Sequence, residues 1–360
     1  MWFPVLVFVT LFAVDHYSMA DKDSFDQIPR GHFVATGPYK MKEWRPKEIV
    51  HLERDPNHFD GEPYLDEIIF RQFSDNQAMG LALESGDIQY INEQVQPEDA
   101  ERWEHSRDIK LNIVQERGLG WYVGLNTKKA PFTDVRVRKA INLSMNRKRY
   151  LNEVLLYGRV LTTPWAKFSP AFNPELDSMI KFDLDEAKKL LAEAGYPNGI
   201  PDPITVTLLP TRLPQVRVGE VLQNDLEKIG VKLKFKQTEY AEMIEMLATG
   251  TFEPMWIGFG YGFAQFQPAT TVQTAFPLRY PNASNYDDPE WIEAVKGVIN
   301  ATGDAATLKK AYDRYNRAFI NGHFVLAYAN RPAINARRKN LLETLNVYGL
   351  TRYETFGFTS

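Results

Sequence analysis

The chain has 360 residues, and its 42 lysines and arginines stand against 46 aspartates and glutamates, a formal net charge of −4. This near balance argues against a nucleic-acid-binding protein, which would present a strongly basic face. Cysteine is absent, which excludes a disulfide framework, a cysteine-ligated zinc site and a thiol nucleophile. A chain of this length exceeds one small core, so two lobes are expected.

The chain begins with an apolar run, MWFPVLVFVTLFAV. Its length suits a signal peptide, and Ser18-Met19-Ala20 resembles a cleavage site. No lysine or arginine precedes the run, however, and it is too short for a transmembrane helix. Two interpretations therefore stay open. The run is either a signal peptide, for which the evidence is not convincing, or a buried strand or helix of the fold itself.

The first part of the chain predicts a mixed α/β layer. Gly37-Pro38 marks a turn, and the residues after it alternate in the manner of a β-hairpin. Asp75 or Asn76 can cap a helix that Gly86 ends, and β-rich segments lie on either side of it. The predicted elements are hairpin strands at 39–44 and 49–54, a strand at 64–73, a helix at 75–87, a strand at 88–91, and a strand region at 112–127 broken by Gly118 and Gly120.

The second part predicts a lobe of the βαβ type. It opens with a long amphipathic helix over 134–155, on which Arg136 and Arg138 are expected to serve the helix surface or ion pairs between elements. Gly195 and Gly230 are placed to end two further helices. The remaining predicted elements are a helix at 184–196, a strand at 203–210, a helix and strand within 215–237, a helix and strand within 240–260, and helices at 289–301 and 305–321.

No motif in the chain predicts catalysis, a metal or a cofactor. The six histidines form no closely spaced ligand pair, and only His51 and His58 could share a metal, across a turn. Neither a G-x-S-x-G nucleophile elbow nor a Walker loop is present. Carboxylates are plentiful, but their spacing identifies no catalytic pair, so they are expected on solvated faces.

One glycine cluster could serve a nucleotide. The stretch WIGFGYGFAQF follows a predicted strand and contains Gly258, Gly260 and Gly262. A dinucleotide site needs glycines at a tight turn so that a helix N-terminus meets the pyrophosphate. Here the spacing is G-x-G-x-G and no convincing helix follows, which favours a strand end lining a crevice. An α/β nucleotide-binding enzyme that uses 258–262 remains the alternative.

Several blocks resemble the solute-binding proteins of ABC importers, in particular the peptide/nickel-type class of dipeptide- and oligopeptide-binding proteins. That family typically shows a G-T-G-P-Y strand, a K-P-Y-L-D-x-I strand and an A-L-x-S-G-x-I-D helix exit. In those places this chain has ATGPY, EPYLDEI and ALESGDI, in that order. Further along, LNTKKAPFTDVRVRKAI and FDLDEAKKLLAEAGY are similar to two later blocks of the family.

The resemblance implies an α/β fold with mixed sheets and two lobes, like that of periplasmic binding proteins. Such a protein captures a peptide or similar oligomeric solute outside the cytoplasm, closes by hinge motion and delivers the solute to a membrane permease, without catalysis. Lobe I would comprise 1–122 with a return segment at 331–360, and lobe II would comprise 123–330. The hinge crossings would lie near 121–127 and 328–334.

The resemblance also implies two departures from the family. The first residues match a point inside the family's first lobe, so lobe I is expected to be incomplete, and a truncated relic that binds nothing stays open. In the ligand-contact segment, 260–268, peptide-binding members carry two acids, the first of which pairs with a peptide's amino terminus. Here Ala264 and Gln267 stand in their places.

A ligand is therefore expected to be uncharged where it meets this segment, as a blocked or internally held peptide or an oligosaccharide would be. Apolar and aromatic walls with a few polar anchors are typical of ligand sites. The predicted ligand-binding residues are Tyr261, Phe263, Gln265 and Gln267 in the segment, Trp121 and Tyr122 at the first hinge crossing, and Trp165 in a proline-flanked loop.

Overall fold

The computed structural model describes residues 5–6, 37–46, 48–73, 75–92, 95–210, 213–259, 267–343 and 353–359. The chain divides into two compact units. The smaller unit comprises Met1–Val114 and Ala333–Ser360, and the larger comprises Gln115–Pro332. The sequence predicts lobe boundaries after residues 122 and 330. That these lobes move as separate bodies stays a prediction.

The smaller unit contains the predicted hairpin. Strand β2 pairs antiparallel with β3, and a bulge between Met41 and Glu43 interrupts their register. The order of the sheet is β1–β4–β3–β2, with β1 parallel to β4. Apart from β1, the apolar N-terminal run lies outside the described residues. The strands of this sheet are β1 Val5–Leu6, β2 Tyr39–Arg45, β3 Ile49–Arg54 and β4 Glu67–Arg71.

Helix α1, Asn76–Ser85, confirms the predicted capping. The carboxylate of Asp75 accepts a hydrogen bond from the amide of Ala78 at 2.7 Å, and Gly86 follows with a φ of 88°, a left-handed conformation that favours glycine. Beyond α1 the unit contains β5 Tyr90–Ile91, helix α2 Pro97–Trp103 and the start of β6 Ile109–Leu125, and later the end of β11 Val325–Arg338, β12 Leu341–Leu342, a 3-10 turn Tyr353–Thr355 and β13 Gly357–Phe358.

The larger unit is built on a mixed sheet with the order β11–β6–β10–β8–β9, in which β7 also pairs with β11. Strand β8 runs parallel to both β9 and β10, and helices connect these strands, as the βαβ prediction requires. Its further elements are helices α3 Val135–Ser144, α4 Arg147–Arg149, α5 Leu184–Glu193, α6 Leu213–Glu227, α7 Tyr240–Thr249, α8 Pro268–Thr274, α9 Pro289–Ile299 and α10 Ala305–Gly322, and strands β7 Arg159–Val160, β8 Ile204–Leu208, β9 Leu233–Gln237 and β10 Met255–Phe259.

Both faces of this sheet are buried. Successive side chains of a strand point to opposite faces, and on β6 this alternation places Trp121 and Val123 in one hydrophobic cluster and Tyr122 in another. On β10, Ile257 and Trp256 divide in the same way. Helices α3, α5 and α6 contribute to the first cluster, and α7, α9 and α10 contribute to the second. The sheet therefore lies between two layers of helices.

The structure differs from the predicted elements at two places. The expected helix over 134–155 is broken, because the chain is extended at Met145 and resumes as α4 followed by a π-helical turn, Tyr150–Leu155. The amide of Asn146 instead donates to the Asp225 carboxylate at 2.9 Å. Strand β6 is also continuous across Gly118 and Gly120, where a break was predicted.

Candidate functional site

The structure describes four of the seven predicted ligand-binding residues. Trp121, Tyr122 and Trp165 are buried, with exposed fractions of 2%, 3% and 4%. Gln267 is exposed at the start of α8, where its carbonyl accepts from the amide of Thr271 at 3.0 Å. The other three, Tyr261, Phe263 and Gln265, lie outside the described residues.

Tyr122 packs across a glycine of the neighbouring strand. Gly258 is its partner in the β6–β10 register, and a Cβ atom at Gly258 would lie 2.2 Å from the Cζ of the Tyr122 ring. Gly258 therefore leaves room for an aromatic ring inside a strand. This gives the first glycine of the candidate nucleotide loop a packing role, while Gly260 and Gly262 lie outside the described residues. Burial raises the pKa of the Tyr122 hydroxyl, which stays protonated.

Trp121 lies on the opposite face of β6. It belongs to the hydrophobic cluster that α3, α5 and α6 cover, and its ring centroid is 6.4 Å from that of Tyr328 on β11. The two adjacent aromatic residues thus serve different halves of the core.

Trp165 is held in a loop organised by one buried carboxylate. The oxygens of Asp177 accept from the amides of Thr162 and Thr163, each at 2.8 Å, and from the guanidinium of Arg159 at 2.7 Å. The indole nitrogen of Trp165 donates to the Asn316 side-chain oxygen on α10 at 2.6 Å. Its polar edge is therefore satisfied within the larger unit.

A buried polar network connects α3, α4 and the end of α10. The Asn142 oxygen accepts from Arg147, which also donates to the carbonyl of Ala327 at 2.8 Å. This fixes the Asn142 amide so that its nitrogen donates to Nδ1 of His323 at 2.9 Å. The acceptor nitrogen must then be unprotonated, so His323 is neutral.

Burial and the nearby cations Lys139, Arg138 and Arg147 lower the pKa of His323 to about 3. Burial also lowers the pKa of Arg147 to about 10, so this guanidinium remains charged at neutral pH. Sequence reasoning missed the network, because its members are separated by up to 181 residues.

The larger unit also contains a surface cavity of about 590 Å³ that sequence reasoning did not find. Arg138 contributes to it, although it was expected on the helix surface or in an ion pair. It is instead 5% exposed and donates to the carbonyls of Gly322 and Phe132 at 2.9 and 2.8 Å. The cavity is lined by Val135, Arg138, Tyr286, Asp288, Glu290, Arg314, Arg317, Ala318 and Asn321.

No metal centre is evident among the residues that the structure describes, since none of their histidines and carboxylates form a group of three suited to a metal. His51 lies 3.2 Å from a Glu67 oxygen, and Nδ1 of His58 accepts from the amide of Asp60 at 3.3 Å. In the described part of the chain, every helix is too short or too polar to cross a lipid bilayer.

Comparison with curated proteins identifies relatives that bind peptides. The oligopeptide-binding protein AppA of Bacillus subtilis is 31% identical over 228 residues, which are 59% of this chain and 41% of the relative. The periplasmic oligopeptide-binding protein OppA of Escherichia coli is 25% identical over 288 residues, 76% of this chain and 51% of the relative. The chain spans about half the length of the curated relatives it matches.

Solved structures support the fold. AppA of Bacillus subtilis in complex with a nonapeptide has a TM-score of 0.76 at 21% identity and covers 90% of this chain and 66% of that chain. DppA of Helicobacter pylori in complex with the peptide STSA has a TM-score of 0.78 at 21% identity. That match covers 96% of this chain and 67% of DppA. The predicted mixed α/β, two-lobed binding-protein fold is confirmed.

The family model of bacterial extracellular solute-binding proteins, family 5 Middle, matches residues 2–276. This match spans most of the chain, including the blocks on which the sequence resemblance rests. The chain therefore belongs to the family 5 extracellular solute-binding proteins, the peptide/nickel-type class that its motifs predict.

Proposed function

We propose that this chain is the solute-binding component of an ABC importer. Outside the cytoplasm it captures a peptide or similar oligomeric solute and delivers it to a membrane permease, and it catalyses no reaction. The observation that carries the proposal is the family match over residues 2–276. Relatives named as oligopeptide-binding proteins support a peptide as the class of solute.

Capture would use a cleft between the two lobes and hinge motion. The chain passes between its compact units twice, from Val114 to Gln115 and from Pro332 to Ala333. Two crossings of this kind are what a two-strand hinge requires. The proposed hinge segments, 121–127 and 328–334, lie close to these passages along the chain. A saturating ligand should narrow the cleft between 1–122 and 128–330 and so reduce the radius of gyration measured by small-angle X-ray scattering. An unchanged profile with tightly bound ligand would contradict hinge closure.

The proposed ligand contacts centre on the segment 260–268. Gln267 is exposed at its end, and Ala264 occupies a position where the family's peptide binders carry an acid. An ammonium group buried here would lack a partner carboxylate and would be costly. Amide side chains can donate and accept hydrogen bonds without charge, and aromatic rings suit flat, uncharged groups. The ligand is therefore proposed to be a blocked or internally held peptide, or an oligosaccharide.

Calorimetric titration of the full chain with free-amine dipeptides, amine-acetylated peptides and short oligosaccharides tests this proposal. The uncharged ligands should bind. Gln267→Ala should weaken their affinity by roughly tenfold, the loss expected for one buried hydrogen bond. The matched control is Gln273→Ala, which changes an exposed glutamine on the adjacent helix.

Three results would contradict parts of the proposal. Tight binding of free dipeptides, unaffected by Gln267→Ala, would show that this segment does not select uncharged groups. Failure of the whole panel to bind would contradict solute capture by this chain. Nucleotide binding in a thermal-shift screen, with turnover that one Asp or His substitution removes, would favour an enzyme.

A further inference from the structure

The cavity of about 590 Å³ lies within the larger unit, so its walls do not depend on lobe closure. Three parts of the chain form it: the first turns of α3, the loop that leads from Tyr286 into α9, and the second half of α10. Its volume is in the range of small-molecule sites. Its charged side chains are three arginines and two carboxylates.

The two carboxylates are already engaged by groups of the protein. Glu290 forms a two-pronged pair with Arg314, with nitrogen–oxygen distances of 2.7 and 2.8 Å. Asp288 caps α9 and accepts from the amides of Glu290 and Trp291 at 2.9 and 3.3 Å. Neither carboxylate forms an ion pair with the remaining two arginines of the cavity, although Asp288 attracts Arg138 at longer range.

Those two arginines, Arg138 and Arg317, form no ion pair with any residue that the structure describes. Asp313, which Arg317 attracts at longer range, is paired with Lys309. Arg138 is nearly inaccessible, and Nε and Nη1 are used on backbone carbonyls. Its other terminal nitrogen, Nη2, has no hydrogen-bond partner in the part of the chain that the structure describes. Asp134 and Asp288 attract Arg138 at longer range but accept no hydrogen bond from it, so an anion that reached Nη2 would add a charge-assisted hydrogen bond. Burial lowers the pKa of Arg138.

Tyr286 provides a fixed wall and a further donor. Its ring stacks on Phe324 with centroids 4.5 Å apart, and Arg138 lies 5.6 Å from the ring centroid. Close packing against Gly322, where a Cβ atom would lie 2.8 Å from the ring, prevents the ring from shifting in that direction. Burial raises the pKa of Tyr286 to about 12, so its hydroxyl remains a donor at neutral pH. Val135 and Ala318 add small apolar surfaces.

We propose that this cavity is a second binding site, for a small organic anion whose carboxylate or phosphate head lies between Arg138 and Arg317. Planar guanidinium groups match both oxyanions, and the cavity is large enough for an organic body beside the head group. None of the residues that line the cavity belongs to the proposed solute-contact segment 260–268. It would allow the protein to respond to an anion as well as to its transported solute.

Calorimetric titration of the full chain at low ionic strength, where screening is weak, tests the site. The probes are inorganic phosphate, succinate and succinamide, the neutral analogue of succinate. Succinate or phosphate should bind and succinamide should not, and the stronger of the two anions identifies the head group. Arg317→Gln should weaken the affinity for the anion by roughly tenfold or more, since it removes a charged donor from an exposed position without disturbing the core.

Arg136→Gln is the matched control. It removes the same charge from the same helix as Arg138, at an exposed residue whose guanidinium is engaged by Asp134 at 2.6 Å. This variant should bind the anion as the unmodified chain does. The proposal is overturned if neither anion binds at millimolar concentration, if succinamide binds as well as succinate, if Arg317→Gln has no effect, or if Arg136→Gln weakens binding equally.

Discussion

Neutral His323 makes the stability of the larger unit sensitive to acid. Its pKa is lowered to about 3 in the folded chain, chiefly by burial, whereas an unfolded histidine has a pKa near 6.5. Between about pH 3 and 6.5 the histidine is protonated in the unfolded chain but stays neutral in the folded chain. Stability should therefore fall as pH falls below about 6.5, by about 1.4 kcal/mol per pH unit, which amounts to about 2 kcal/mol by pH 5.

His323→Asn isolates this contribution from the carboxylates, which also titrate in acid. His323 has a φ of 46°, and asparagine tolerates that left-handed conformation. The variant should lose some stability at pH 7.5, because the ring packs in the core. On acidification to pH 5 it should lose about 2 kcal/mol less than the unmodified chain does, if the histidine is the cause.

Urea denaturation followed by circular dichroism at several pH values measures the difference between the two chains. The matched control is the same substitution at His105, an exposed histidine of the smaller unit. Parallel stability curves for the unmodified chain and His323→Asn would refute the reasoning. So would a direct NMR titration that gives His323 a pKa of 6 or more.

Three further predictions concern the frame that holds the predicted site residues, and denaturation midpoints measure each. Gly258→Ala should destabilise by about 1–3 kcal/mol through the clash with Tyr122, and adding Tyr122→Leu should recover part of that loss; additive losses would contradict the packing. Asp177→Asn should cost on the order of 3 kcal/mol, because it removes the charge from a buried ion pair, and a change under 0.5 kcal/mol would show that the loop does not depend on it. Trp165→Phe should cost about 1–3 kcal/mol, since it leaves the Asn316 oxygen without its donor, whereas a double variant with Asn316→Leu should lose less than the sum.

The elements that sequence predicts well are those with local signals. Asp75 and Gly86 bound α1 through contacts with residues no more than three positions away. The break after α3 is caused by residues that are distant in sequence. The Asp225 carboxylate accepts a hydrogen bond from the amide of Asn146, and the Leu143 carbonyl accepts one from the amide of Asp183. Neither contact leaves a signature within the helix, so the pattern over 134–155 reads as one continuous helix.

The candidate sites show the same division. Family motifs predict where the chain should meet its solute, but an aromatic residue that lines a cleft has the same sequence signature as one that fills a core. Trp121, Tyr122 and Trp165 are packed in the core. The cavity of the larger unit could not be predicted, because Arg138 donates to the carbonyl of Gly322 across 184 residues of sequence. Arg317 on α10 is close to it only in the folded chain.

Tyr122 connects the core to the proposed ligand segment without being exposed itself. It packs on Gly258, and β10 ends one residue later at Phe259, where the segment 260–268 begins. The position of a loop is set by the strand from which it departs, and that strand is fixed here by an aromatic ring filling the space above a glycine. A buried aromatic residue can therefore fix the strand end from which a ligand-contact segment departs. Tyr122, which is also one of the predicted ligand contacts, would then influence solute affinity by positioning this strand end.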